Sequence, residues 1–255
     1  MNYIFDGSYA GFLCCVFNYF SRQDEDPNAL LVDGKDALQS SFFDTNETIM
    51  TDDSQAKRVQ KGLESKLGKS IAKDFFRVFL SEDPKAWLSS FIIISKIFKN
   101  QPDILNNFGD KDVLYFSQTL KKVSRERHRM KAFIRFNKSN DGLFFAIIEP
   151  DFNVLPLIVD FFKNRYADQK WLIYDVKRNY GLIYDTINIT EVKLSTNQTN
   201  SLIKTPTITL DEKDSHYQNL WNRYYKSTNI EAKRNIKLHL QHVPKRYWKY
   251  LPEKN

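Results

Sequence analysis

Apolar residues recur with a helical period through the first half of the chain and with a strand period through much of the second. Asp6-Gly7-Ser8 supplies a turn and a cap, and residues 9–20 are apolar on most faces, which predicts a buried helix. Residues 23–53 lose periodicity and turn acidic, so a short strand or a loop is expected there. Ser54 is placed to cap a polar helix reaching about Leu67. Residues 70–80 form a second, with Ile71, Phe75, Val78 and Phe79 on one side. Asp83-Pro84 starts a helix over 85–99, because proline loses no hydrogen bond at the first helical position. A long helix is predicted from near Asp110 to Phe136. Its seam is Val113, Phe116, Leu120, Val123, Met130 and Ile134, at spacings that keep one face. The position that completes the seam is Arg127. A guanidinium on a buried stripe needs an acceptor, or the seam opens to a ligand there.

After Asn140-Asp141-Gly142 the period changes. Residues 143–148 form an apolar run typical of a buried strand, residues 154–166 an amphipathic helix. Residues 171–176, 180–184 and 187–192 read as strands, the first two joined by the turn signal Arg178-Asn179-Tyr180-Gly181. Residues 195–209 are Thr- and Asn-rich and read as loop. Asp211 caps a helix to about Lys226, and short helices complete the chain. The expected fold is α+β, mainly helical with a small mixed or antiparallel sheet in the second half. It comprises a helical region over 1–140 and an α+β region over 141–255, or one continuous domain.

Charge adds what periodicity lacks. Residues 221–255 carry nine Lys and Arg against two Glu, a net +7 that equals the formal charge of the whole chain. Trp221, Tyr224, Tyr225, Tyr247, Trp248 and Tyr250 are interleaved with them. Residues 121–138 carry eight Lys and Arg against Glu126, again a net +7, so the remainder sums to −7. Clustered cations release counterions from a phosphate backbone, and flat rings offer stacking platforms to bases. Nucleic acid is therefore the expected partner, with DNA and RNA equally compatible. A solvated basic tail whose rings pack on the body is the alternative.

Composition excludes other chemistry. Residues 9–20 are too short a run to span a bilayer, the first residues lack a basic leader pattern, and no membrane partner is expected. A soluble, cytoplasmic protein is the expectation. Cys14 and Cys15 are the two cysteines, adjacent on a helix where their side chains diverge, so neither a structural disulfide nor a four-thiolate cluster is expected. His128, His216, His239 and His242 form no metal-binding pattern beyond the spacing of the last two. No metal and no cofactor are expected.

Three places carry candidate chemistry. His128-Arg129-Met130 lies in a basic helix, where imidazole and guanidinium can meet a phosphate or an extruded base. Helix packing, with Arg129 paired to a carboxylate such as Glu149, is the alternative. Glu149 ends an apolar strand, where desolvation would raise its pKa and suit acid–base work. Asp175-Val176-Lys177 mimics the acid-x-Lys of metal-dependent nucleases. His128, Glu149 and Asp175 are thus the catalytic candidates.

Phe5-Asp6-Gly7-Ser8 with Gly11, Glu126-Arg127-His128-Arg129-Met130 with Phe133 and Arg135-Phe136, Glu149-Pro150 with Arg165, Trp171 and Asp175, and the ending Arg234-Asn235 … Pro244-Lys245-Arg246-Tyr247-Trp248 together resemble a bacterial family associated with DNA metabolism. Genes of that family typically neighbour one for a radical-SAM protein assigned to DNA repair. Its shared domain, of unknown function, also occurs fused behind uracil-DNA-glycosylase-like domains. The resemblance implies a DNA-repair accessory acting with a radical-SAM partner that brings the reactive chemistry. The expected nucleic-acid contacts are Arg127, His128, Arg129, Arg135, Arg234, Lys245, Arg246, Tyr247 and Trp248, with Trp248 stacking and Arg246 on phosphate. A base-removing or nuclease enzyme and a protein-interaction adaptor are the alternatives.

Overall fold

Asn-Tyr-Ile-Phe at the start of the chain is buried at every position and forms strand β1 (Asn2–Phe5). The computed structural model describes residues 2–22, 26–33, 45–140, 142–193 and 243–254. The loop expected over 195–209, the helix expected over 211–226 and Arg234 lie outside the described residues. The chain divides into two compact units, Met1–Ser124 and Arg125–Asn255. The boundary lies inside helix α4 (Lys111–Phe133), earlier than the change of period at Asn140 had suggested.

In the first unit β1 pairs in parallel with β2 (Ala29–Val32) and β3 (Asn46–Thr48), giving the order β2-β1-β3. This sheet adds to the one expected in the second half. Helix α1 (Tyr9–Arg22) connects β1 to β2 and buries Phe12, Leu13, Val16 and both free cysteines. Its start is fixed as the residues suggest: the Asp6 carboxylate accepts from the Ser8 N–H at 2.9 Å, and the Ser8 hydroxyl accepts from the Gly11 N–H at 2.9 Å. The two helices expected over 54–80 are one kinked element, α2 (Asp53–Phe79), bent where Gly68 takes φ 79° and ψ 155°. Its cap is Asp52, not Ser54. One Asp52 oxygen accepts from the N–H groups of Ser54 and Gln55 at 2.7 and 3.0 Å, which a neutral hydroxyl two residues later does not match. Helix α3 (Pro84–Phe98) begins with proline and is capped by Asp83, which accepts from the Lys85 N–H at 3.0 Å.

The second unit is built on a mixed sheet of order β4-β5-β6-β7-β8. Its strands are β4 (Asn137–Lys138), β5 (Phe144–Ile148), β6 (Trp171–Asp175), β7 (Tyr180–Tyr184) and β8 (Ile189–Val192). Strands β5 and β6 run parallel and are joined across helix α5 (Leu155–Arg165); the other pairs are antiparallel. Central β6 is buried at all five positions, which is why it reads as a nearly unbroken apolar run. The β6–β7 turn closes with Asn179 at φ 55°, a conformation asparagine tolerates better than most residues. A 3-10 turn (Lys245–Tyr250) ends the chain, followed by a shorter one (Pro252–Lys254). The fold is α+β. No helix among the described residues is long and apolar enough to cross a membrane.

The kink supplies a test whose sign decides. In a straight helix, replacing glycine by alanine stabilises by about 1 kcal/mol. At Gly68 a Cβ would meet no atom within 4 Å, so only the backbone conformation opposes it. Gly68→Ala is expected to destabilise by about 1–3 kcal/mol in urea unfolding. A stabilised variant would mean that α2 runs straight.

Candidate functional site

The buried stripe of α4 in the second unit passes through Glu126, not Arg127. Glu126 is 2% exposed, level with Met130, whereas Arg127 is half-buried and His128 is exposed. Spacings of 3+4 and 4+3 from Val123 to Met130 fit a helix equally well, and the chain takes the first. The acceptor sought for a buried arginine is therefore a buried carboxylate seeking donors. An uncompensated carboxylate in this position would cost several kcal/mol. Glu126 Oε1 accepts from the Asp151 N–H at 3.0 Å and from the Tyr247 hydroxyl, and its Oε2 lies 3.3 Å from Arg246 Nη2. Arg129 Nη1 stands 3.9 Å from the same oxygen, so Arg129 faces Glu126, not Glu149.

Both donors from the far end of the chain sit on the turn Lys245–Tyr250. Tyr247 is 2% exposed, its ring 5.6 Å from Phe133. Burial, and then the hydrogen bond to Glu126, push its hydroxyl well above the ordinary tyrosine range. The expectation that Tyr247 contacts nucleic acid is corrected accordingly: its ring is core and its hydroxyl is spent on Glu126. Arg246 lies over the Tyr247 ring at 4.6 Å and pairs with Asp151 at 2.6 Å. Its contacts to both carboxylates run through the one nitrogen, Nη2. Trp248 is half-buried, donates its N–H to the Val243 carbonyl at 3.1 Å, and has the Lys254 ammonium 5.4 Å from its ring centre. Lys245 is exposed, with no hydrogen bond or ion pair to the described residues.

The same turn holds Glu149. Its Oε2 accepts from Lys249 and from the Tyr250 hydroxyl, the latter at 2.8 Å. These bonds, Lys249 first, hold the carboxyl below its ordinary value, while burial and then the bond to Glu149 push Tyr250 up to about 12. The raised pKa expected of a general acid is thus reversed in sign, because a cation from the end of the chain outweighs the strand's desolvation. Asp175 is fully buried. One of its oxygens accepts from the backbone N–H groups of Lys177 and Arg178 at 3.0 and 3.3 Å, the other from the Arg178 side chain at 2.8 Å. Burial raises its pKa against the pull of Arg178. Lys177 turns away, donating to the Asp151 carbonyl at 3.0 Å. The acid-x-Lys pattern therefore closes the β6–β7 turn, with both carboxylate oxygens occupied. Among the described residues no group of three or more His, Cys, Asp or Glu is placed to hold a metal.

These residues surround a groove of about 430 Å³ lined by Glu149, Pro150, Asp151, Lys177, Lys245, Arg246 and Lys249. Four cations face two carboxylates, each of which already has a cationic partner. Arg135 lies apart, at the end of α4, where it donates to the Ala132 carbonyl at 2.7 Å. The site thus gathers Arg246, Lys245 and Lys249 around Glu149 and Asp151, and leaves Arg127 and His128 on other faces of α4. Sequence reading missed Glu126, Asp151, Arg178 and Tyr250. The alternation of donors in Arg246-Tyr247-Trp248-Lys249-Tyr250 is the signal that could have pointed to buried acids.

The Glu149 clasp has a pH dependence of known sign. A carboxyl whose folded pKa is depressed contributes stability that is complete above the unfolded value, about 4.3, and is lost as pH falls through the folded one. The difference in unfolding midpoint between the native protein and Glu149→Gln is expected to be largest at neutral pH and to shrink below about pH 4. Asp175, whose shift has the opposite sign, is common to both proteins and cancels in the difference. A midpoint difference that is constant from pH 7 to 3 would contradict the pairing.

No curated protein and no solved structure matches the chain. The family model DUF4130, a domain of unknown function, matches residues 84–253, more than half of the chain and almost all of the site described here. The protein belongs to the DUF4130 family.

Proposed function

We propose that this protein binds nucleic acid, as an accessory of DNA repair or DNA metabolism working beside a radical-SAM partner. The observation that carries the reading is the segregation of charge into two blocks of net +7, over 121–138 and 221–255, against a remainder of net −7. Clustered Lys and Arg of this number are the electrostatic footprint of a protein that meets a polyanion. Exposed Arg125 and His128 on α4, and exposed Lys245 at the cationic groove, are the described groups most ready to meet phosphate. Arg246 and Lys249 join them on exchange of carboxylate for phosphate. The DNA role and the radical-SAM partner rest on the family resemblance. The accessory reading is supported by Lys249 and Tyr250 holding the Glu149 pKa down, where a general acid needs it raised, and by both Asp175 oxygens accepting from the β6–β7 turn, where a nuclease needs carboxylates open to metal.

Salt separates this reading from an adaptor for a protein partner. Binding of fluorescent single- and double-stranded DNA, followed by anisotropy, is expected to weaken linearly on a log–log salt scale between 50 and 200 mM, the slope reporting phosphates neutralised. Lys245→Gln, at an exposed position unpaired among the described residues, is expected to lower that slope by about 0.7–0.9 without changing stability. No binding at low salt, or binding indifferent to salt, would overturn the proposal.

A further inference from the structure

Rings and cations converge a second time in the second unit, around the start of β5. Here a cavity of about 590 Å³ opens between the end of α4, helix α5 and the first residues of β5 and β6. Its wall includes Phe136, Phe162, Tyr166 and Trp171, with Phe136 standing edge-on to Phe162 at 5.6 Å and to Tyr166 at 5.5 Å. Its cations are Lys131, Arg135 and Arg165, and none of its lining residues is acidic. Lys131 stands 4.8 Å over Phe161, which is 36% exposed at the mouth, and Arg165 lies 5.8 Å over Tyr166. Lys131 and Arg165, the cations stacked on rings of the wall, are a place where an anion is favoured.

Trp171 narrows the ligand further. It is 1% exposed, and its indole N–H is buried with no acceptor among the described residues. Buried indole donors are normally satisfied, so an unmet one in the wall of a cavity points to a ligand that brings an acceptor. A purely apolar occupant supplies neither an acceptor nor an anion. An unstacked nucleotide supplies both, with a π-face for the rings, edge oxygens and nitrogens for the indole, and a phosphate for the cations. The volume falls within the range of sites that enclose small molecules. Duplex bases are stacked on both faces and cannot enter.

We infer that this cavity takes one unstacked nucleotide of a single strand, its base against Phe136 and Tyr166 with an edge toward the Trp171 indole, and its phosphate on Lys131 and Arg165. The inference rests on the nucleic-acid reading above. The probe is a single-stranded DNA 12-mer carrying one 2-aminopurine, titrated into the full chain. Two variants change exposed positions of the cavity wall: Arg165→Gln removes a phosphate partner, and Ala132→Trp fills the space. Quenching of 2-aminopurine is expected with the native protein and is expected to be lost with Ala132→Trp. Each variant is expected to weaken binding by about 5- to 100-fold, the range for one stacked base or one charged contact. If the 12-mer binds all three proteins equally and its emission stays unchanged, the cavity assignment falls while nucleic-acid binding stands. If the 12-mer does not bind at all, both fall. Equal affinity for dAMP alone, abolished by Ala132→Trp, would overturn the strand in favour of a free nucleotide.

Discussion

A carboxylate buried on α4 organises the second unit. At 2% exposure the Glu126 carboxyl needs hydrogen-bond donors, and three arrive from parts of the chain far apart in sequence. The Asp151 N–H comes from the loop after β5, and the Tyr247 hydroxyl and Arg246 guanidinium come from the final turn. Replacing the whole cluster by apolar residues of similar volume would be nearly neutral in energy, but removing one member strands the others. Its consequence is therefore positional: it fixes where Lys245–Tyr250 lies against α4 and β5.

That position decides which cations are held and which are available. Arg246 is committed to Glu126 and Asp151, and Lys249 to Glu149, so the turn spends two of its three charges on its own acids. Lys245 remains exposed. Of the carboxylates that looked catalytic, Glu149 is an acceptor of this turn's donors, whereas Asp175 accepts from Lys177 and Arg178 within the β6–β7 turn. Lys249 lowers Glu149 because it lies at the surface, while deep burial raises Asp175 despite Arg178.

Much of the fold was legible because its signals are local. Asp83-Pro84 and Asp6-Gly7-Ser8 announce helix starts through caps that act within three residues. Strands β6 and β7 show their apolar runs and the turn between them within fifteen residues. Strand β1 was missed because its apolar run has no alternation and its partners, Ala29 and Asn46, are remote. Ser54 and Asp52 are both good caps by residue type, and only geometry separates them. The candidate site was legible in composition but not in pairing. Val123 and Met130 leave Glu126 and Arg127 equally suited to the stripe, and the residues that choose between them lie 120 positions away. Glu149 was misjudged for the same reason: its strand predicts desolvation, and Lys249 overrides it from 100 positions away.

The most direct test of this organisation is a double-mutant cycle between Glu126 and Tyr247, which meet only through the fold. Glu126→Met removes the acceptor at similar shape, Tyr247→Phe removes only the hydroxyl, and urea unfolding gives the stability of each protein and of the double variant. A coupling energy of about 1–3 kcal/mol is expected for partners in one buried network. Additive effects, with coupling below about 0.5 kcal/mol, would show that the final turn is not held by Glu126 and would contradict the account.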